Sequence, residues 1–254
     1  MGKLADRLRE IARGGTQPMG FAAGAVRSHA PRMLTATLLD VADAQAVSDV
    51  VQAGADAALI PVGAATGDEV LKAVATAGQR AMWGGVLAAG GRDEVERLQK
   101  ARGDFVVLGS DSLGANALLP ENIDKLLEVD IAWDDISLRG VEHLPVVAVL
   151  FRVLSAERLT IRHLLQCQKV VALTRKPVLA VLPPTVGIES LLLLRDTGIY
   201  GVVVPPPTVK DFRAAIRELP TPSQRQERLE ATLPAGPQRA LPAESDEEEG
   251  EDWP

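Results

Sequence analysis

Two kinds of segment alternate along the chain. Stretches with apolar residues three and four apart end near a glycine. They run straight into short, wholly apolar stretches rich in β-branched residues. Val51-Gln52-Ala53-Gly54-Ala55-Asp56-Ala57-Ala58-Leu59-Ile60 is one instance, and Lys100-Ala101-Arg102-Gly103-Asp104-Phe105-Val106-Val107-Leu108 is another. A third is Arg195-Asp196-Thr197-Gly198-Ile199-Tyr200-Gly201-Val202-Val203-Val204. A glycine after the last helical turn takes the left-handed cap, and strands this apolar are covered on both faces, as in a parallel sheet. Gly54, Gly78 and Gly103 lie 24 and 25 residues apart, and Gly198 follows 95 residues later, close to four more units.

On that ruler the pattern predicts eight strands, over 33–40, 57–62, 81–87, 105–109, 131–135, 146–153, 178–183 and 201–205. Helices are predicted between and after them, over 44–53, 68–77, 93–101, 120–127, 137–143, 156–175, 188–197 and 209–219. Eight strand-then-helix units argue for an α/β fold, a closed (β/α)8 barrel of the TIM type. A doubly wound open sheet would carry a glycine-rich phosphate turn after its first strand, and Asp40-Val41-Ala42-Asp43 has none. Residues 2–12, with Leu4, Leu8 and Ile11 on one face, read as an amphipathic helix that covers the N-terminal mouth of the barrel. The loop 14–32 is rich in Gly, Ala and Pro and could fold over either end.

Composition adds the domain boundary. Of 254 residues, 46% are apolar and 24% charged, an ordinary globular balance. The net charge is −7, from 34 acids and 27 bases. Residues 221–254 hold nine of those acids and three of the arginines, so residues 1–220 carry 25 acids against 24 bases. A body so near neutrality gives no charge signal for nucleic acid. The segment 221–254 has five prolines and few apolar residues, and it is expected to be a disordered acidic tail. Its run Glu244-Ser245-Asp246-Glu247-Glu248-Glu249-Gly250-Glu251-Asp252-Trp253 suits either solubilisation or contact with a basic protein partner. Ser245 before acids also resembles an acidophilic kinase site. One cysteine, Cys167, excludes an intramolecular disulfide and favours a reducing, cytoplasmic setting. No run reaches the length of a membrane span, and Met1–Gly15 has no secretory apolar core, so no membrane partner is expected. His29, His143, His163 and Cys167 lack a zinc spacing, and no cofactor is implied.

In a barrel of this kind, chemistry sits at the C-terminal strand ends. Those ends supply Asp40, Thr66, Ser110-Asp111, Asp134 and Asp135 after Trp133, Arg152, Thr185 and Thr208. None is a lysine or a histidine, which argues against Schiff-base chemistry. Asp40 and Asp134 or Asp135, on opposite strands one and five, could divide acid and base work across a substrate. Asp40 could equally cap the helix near Ala44. Arg152 inside an apolar strand needs an acidic partner, Asp134 or Asp135, or a ligand carboxylate. Ser110 and Asp111 fit a turn as well as a substrate contact, and Cys167 and His163, four apart on a helix, read as packing residues.

Leu38-Leu39-Asp40-Val41-Ala42-Asp43 resembles the first-strand motif of the histidine-biosynthesis isomerase and cyclase barrels, members of the phosphate-binding barrels. The resemblance implies catalytic aspartates on strands one and five. It departs at Leu182-Pro183-Pro184-Thr185 and Pro205-Pro206-Pro207-Thr208, where those barrels hold phosphate with glycine-rich turns. Proline has no N–H to donate, so the phosphate grip is missing or rebuilt. Two functions are therefore carried forward. One is a lyase or isomerase acting on a small anionic metabolite by aspartate acid/base catalysis. The other is a non-catalytic barrel that binds a ligand or a protein, with the acidic tail as its interaction arm.

Overall fold

A computed structural model of the chain describes residues 2–12, 32–153 and 158–220. Most of the loop 14–32, the segment 221–254 and the first two residues of the helix expected over 156–175 lie outside the described residues. Eight parallel strands close into a barrel in sequence order. They are β1 (Leu34–Leu38), β2 (Ala57–Val62), β3 (Met82–Leu87), β4 (Phe105–Leu108), β5 (Asp124–Val129), β6 (Ala148–Arg152), β7 (Val178–Val181) and β8 (Ile199–Val204). Closure is made by β8 against β1, with Leu34 opposite Gly201 and Thr37 opposite Val204. Helix α1 (Lys3–Ala12) precedes the barrel. Around it stand α2 (Ala44–Gln52), α3 (Asp68–Ala77), α4 (Arg92–Lys100), α5 (Asp135–Gly140), α6 (Ile161–Thr174), α7 (Leu191–Asp196) and α8 (Val209–Glu218).

Alternation along each strand makes two separate cores. Outward residues such as Ile60, Val106, Val149 and Val202 fill the layer between strands and helices, with Val47 of α2. Inward residues Leu34, Ala36, Leu59, Phe105, Val107, Leu126, Leu150, Leu179 and Val203 fill the lumen, together with Leu4 and Leu8 of α1. The helix therefore plugs the barrel, as its apolar stripe predicts. Its place is fixed by Asp124, the first residue of β5, whose carboxylate accepts the Ala5 N–H at 2.9 Å. That amide is one of the unpaired donors at a helix start, so a strand aspartate caps the plug. Since β5 begins at Asp124, α1 lies over the N-terminal end. Gly84 makes room inside, because a Cβ there would overlap the Phe105 ring.

The aspartates that follow two of the cap glycines stitch neighbouring strands. Asp56 accepts the Thr35 N–H of β1 at 3.0 Å, and Asp104 accepts the Trp83 N–H of β3 at 3.0 Å. Gly54 and Gly198 take the left-handed conformation, with φ of +98° and +92°. At the remaining instance, Lys100–Leu108, the left-handed residue is Arg102, φ +63°, and not Gly103. Gly103 closes the same turn by donating to Leu98 O at 2.9 Å, and a Cβ on it would stand 3.2 Å from that oxygen.

The fifth unit departs from the sequence reading. Of residues 120–127, expected as a helix, 124–127 supply the first four residues of β5, and 131–135, expected as the strand, form the loop after it and the first residue of α5. The link from β4 to β5 holds only a 3-10 turn, Ala115–Leu118. Ile123, Leu126 and Leu127 mimic a helical spacing, but Leu126 enters the lumen and Leu127 the outer core. The polar pair that disguised the strand is accommodated at its start. Asp124 is spent on α1, and Lys125 is buried, which lowers the affinity of its ammonium for the proton against the opposing pull of Asp124 and Glu121.

Leu8 is 2% exposed in the lumen, whereas Leu165 on α6 is 59% exposed. Leu8→Ala should cost about 2–5 kcal/mol in a urea unfolding experiment, while Leu165→Ala stays within about 0.5 kcal/mol. Equal losses would mean that α1 is not a structural plug.

Candidate functional site

The N-terminal end is filled, and at the C-terminal mouth two adjoining hollows meet at Arg152. The larger has a volume of about 660 Å³ and is walled by Leu38, Val181, Pro183, Pro184, Val203, Pro205 and Pro206, with Asp40 and Arg152 as its charged groups. The smaller, of about 290 Å³, is polar and lined by Gly109, Ser110, Asp111, Glu128, Asp130, Trp133 and Arg152.

Arg152 ends β6, and its side chain is half-exposed rather than buried. The strand register decides its partner. Leu150 pairs with Glu128 across β5 and β6, so Arg152, two residues on and on the same face, lies beside that carboxylate. Its Nε and Nη2 both donate to Glu128 Oε1, at 3.2 and 3.0 Å. The partner is thus Glu128 and not Asp134 or Asp135. The Arg152 Nη1 group has no acceptor among the described residues, which leaves one edge of the guanidinium for another anion.

Asp40 lies just beyond β1, exposed, with no hydrogen bond or ion pair among the described residues. It does not cap α2. That task falls to Asp43, which accepts the Ala46 N–H at 2.9 Å. Asp134 is the cap of α5, accepting the Ile136 and Ser137 amides at 2.8 Å and the Ser137 hydroxyl at 2.8 Å. These bonds, the Ser137 amide foremost, hold its carboxyl below the usual aspartate range. Asp135 is the first residue of α5 and pairs with Lys169 of α6 at 2.8 Å. Neither lines either hollow.

The remaining candidates divide. Asp111 lines the smaller hollow, and the Ser110 and Ser112 hydroxyls bond one another at 2.6 Å in the turn beside it. Thr66 accepts the Gly63 N–H, Thr208 donates to Pro205 O at 2.9 Å, and Thr185 is exposed in the loop after β7. Cys167 is buried, and burial pushes its thiol up to about 11, far from a reactive thiolate. One amide at each of the two proline turns is already committed. Val186 N–H goes to Pro183 O and Thr208 N–H to Pro205 O, both at 3.1 Å. Among the described residues no three acidic, histidine or cysteine side chains cluster as metal ligands, and no helix is long and apolar enough to cross a membrane.

Glu128 and Asp130 escaped the sequence reading because the fifth strand was placed too late. A signal was present. Asp124 lies 24 residues before Ala148, one full unit of the glycine ruler.

No family model matches the sequence, and no curated protein matches it. Solved structures do. A tryptophan synthase chain from Mycobacterium tuberculosis superposes with a TM-score of 0.60 at 13% identity, over 85% of this chain and 98% of that one. A homocysteine methyltransferase from Escherichia coli gives 0.54 at 13% identity, over 72% and 95%. A structure described as native KDPGal gives 0.53 at 16% identity, over 72% and 91%. At these identities the likeness establishes the barrel and its enzyme-bearing fold neighbours, and nothing finer.

The Asp134 cap has a pH signature. Its folded carboxyl binds a proton more weakly than the unfolded one, so its contribution is present above the ordinary aspartate range and fades as pH falls through the lowered folded value. Asp134→Ala should lower the melting temperature at neutral pH, Asp134→Asn much less, and the gap to wild type should narrow toward about pH 3. A gap that persists in acid would contradict the cap assignment.

Proposed function

We propose that the C-terminal mouth binds a small organic anion and transfers a proton to or from it, the chemistry of a lyase or isomerase. The observation that carries this reading is that Asp40 and Arg152 share the walls of one 660 Å³ hollow whose other surfaces are aliphatic or proline. A hollow of that size admits a metabolite with an apolar body, and a single acid and a single base fix its orientation. The free edge of Arg152 receives a carboxylate. Asp40, with no partner among the described residues, is the group that takes up or returns the proton. Glu128 steadies the guanidinium and, in this reading, stands as the fifth-strand carboxylate in place of Asp134 and Asp135. Ser110, Asp111, Thr185 and Thr208 belong to the rim.

A carboxylate substrate fits better than a sugar phosphate, because the turns after β7 and β8 have spent the amides named above and Pro205, Pro206 and Pro207 have none to give. The same prolines favour a second reading, a non-catalytic barrel that holds a ligand. In it the acidic segment 221–254 is the arm for a basic protein partner.

A thermal-shift screen of the purified chain against small carboxylic acids, sugar phosphates and nucleotides separates these. A ligand at about 100 times its dissociation constant adds about 2.7 kcal/mol, a shift of several degrees for this size. A carboxylic acid should give that shift, and Arg152→Ala should remove it. Asp40→Asn should keep binding yet abolish turnover of the same compound. Binding without turnover in the wild type would select the non-catalytic barrel, and a shift with a sugar phosphate alone would refute the carboxylate assignment.

A further inference from the structure

The opposite face of the barrel carries a charge surplus that neither reading of the mouth uses. A hollow of about 480 Å³ there is lined by Lys3 and Arg7 of α1, Asp56 before β2, Arg80 from the 3-10 turn Gly78–Arg80, and Arg213 and Arg217 of α8. Five cations surround one carboxylate in that wall.

Local ion pairs account for only part of this. Asp56 takes Arg213 Nη1 at 2.6 Å on one oxygen, and Arg7 Nη2 stands 3.5 Å from the other. Arg7 also pairs with Glu10 at 2.7 Å, and Lys3 with Asp104 at 2.9 Å. Arg80 and Arg217 are exposed and have no hydrogen bond or ion pair among the described residues. Arg213 is itself half-satisfied, because its buried Nε–H finds no acceptor. Two guanidinium groups on separate elements therefore project into a concave site beside a third with unused capacity. Like charges held this close raise the local potential and favour a counter-ion.

The donor set narrows the ligand. Guanidinium forks match the paired oxygens of phosphoryl and carboxylate groups. Among the described residues no aromatic ring lines the hollow, so no aromatic face is offered to a nucleobase. We propose that this N-terminal face is a second binding site, for a compact anion bearing several charges such as an oligophosphate or a polycarboxylate. The anion bridges Arg80 and Arg217, with Lys3 and Arg7 at its margin. Because the site joins the plug helix α1 to α8 and to the turn before β3, occupancy tightens the closed end of the barrel. The site is independent of the mouth.

Isothermal titration of the full chain with inorganic tripolyphosphate and, separately, with citrate, in about 50 mM salt, tests this. Saturable binding is expected, and the stronger of the two identifies phosphoryl or carboxylate chemistry. The double variant Arg80→Ala/Arg217→Ala should weaken it by about tenfold or more, and Arg217→Ala alone by less. Removing the same charge elsewhere, in Lys100→Ala/Lys210→Ala, should change it little, and Arg152→Ala at the mouth should leave it intact. No binding by the wild type overturns the proposal. So does equal weakening by the lysine pair, which means diffuse attraction, or loss in Arg152→Ala, which moves the anion to the mouth.

Discussion

Closing a parallel sheet on itself satisfies every strand edge but creates an interior that must be filled. This chain fills it unevenly, and that imbalance organises the rest of the molecule. Leu4 and Leu8 enter from the N-terminal end and join Phe105, Leu126 and Leu150 in one apolar cluster. Toward the other end the inward positions become Asp40, Glu128, Arg152, Pro183 and Pro205, and packing gives way to open volume. A plug on one side and polar strand ends on the other are two halves of one solution. The lumen is dry where it must be stable and open where it can receive a ligand.

Carboxylates at the sealed end serve architecture. Asp56 and Asp104 each accept the amide of a neighbouring strand, and Asp124 accepts one from α1. Their positions at the starts of strands give Asp56 and Asp104 a neighbouring-strand amide, and Asp124 an amide of the plug helix, to accept. The acids at the open end have different neighbours. Glu128 faces a guanidinium, Asp134 a helix start, and Asp40 nothing described. Chemical capacity therefore differs sharply among residues that look alike in the sequence.

The barrel was legible because its signal is repetitive. Gly54 and Gly198 close helices in the left-handed conformation just ahead of strands, and seven of the eight expected strands overlap those observed. What failed was local. The run Ile123-Asp124-Lys125-Leu126-Leu127 carries two charges and a helical spacing, and only the tertiary fate of those charges makes it a strand. That one displacement moved the expected fifth-strand acid from Glu128 to Asp134 and Asp135, and so gave Arg152 the wrong partner. The position of Asp40 at the mouth was legible because it follows an unambiguous apolar strand. Its freedom from helix capping was not legible, since Asp40 and Asp43 precede the same helix and only backbone geometry chooses between them.

In the proposed function the Arg152–Glu128 pair sets what the mouth recognises. In water a half-exposed pair contributes little, so Glu128 does not abolish the attraction of Arg152 for an anion; it orients the group. Both donated bonds come from the Nε and Nη2 edge, which leaves Nη1 without an acceptor among the described residues. An entering ligand whose apolar body covers the proline wall displaces water from around the pair and raises the strength of every charge contact there. An anion without such a body gains the contact but not the desolvation. Under the proposed function, selectivity at this mouth rests on coupling an acid group to an apolar frame, through a guanidinium oriented by its neighbour on β5.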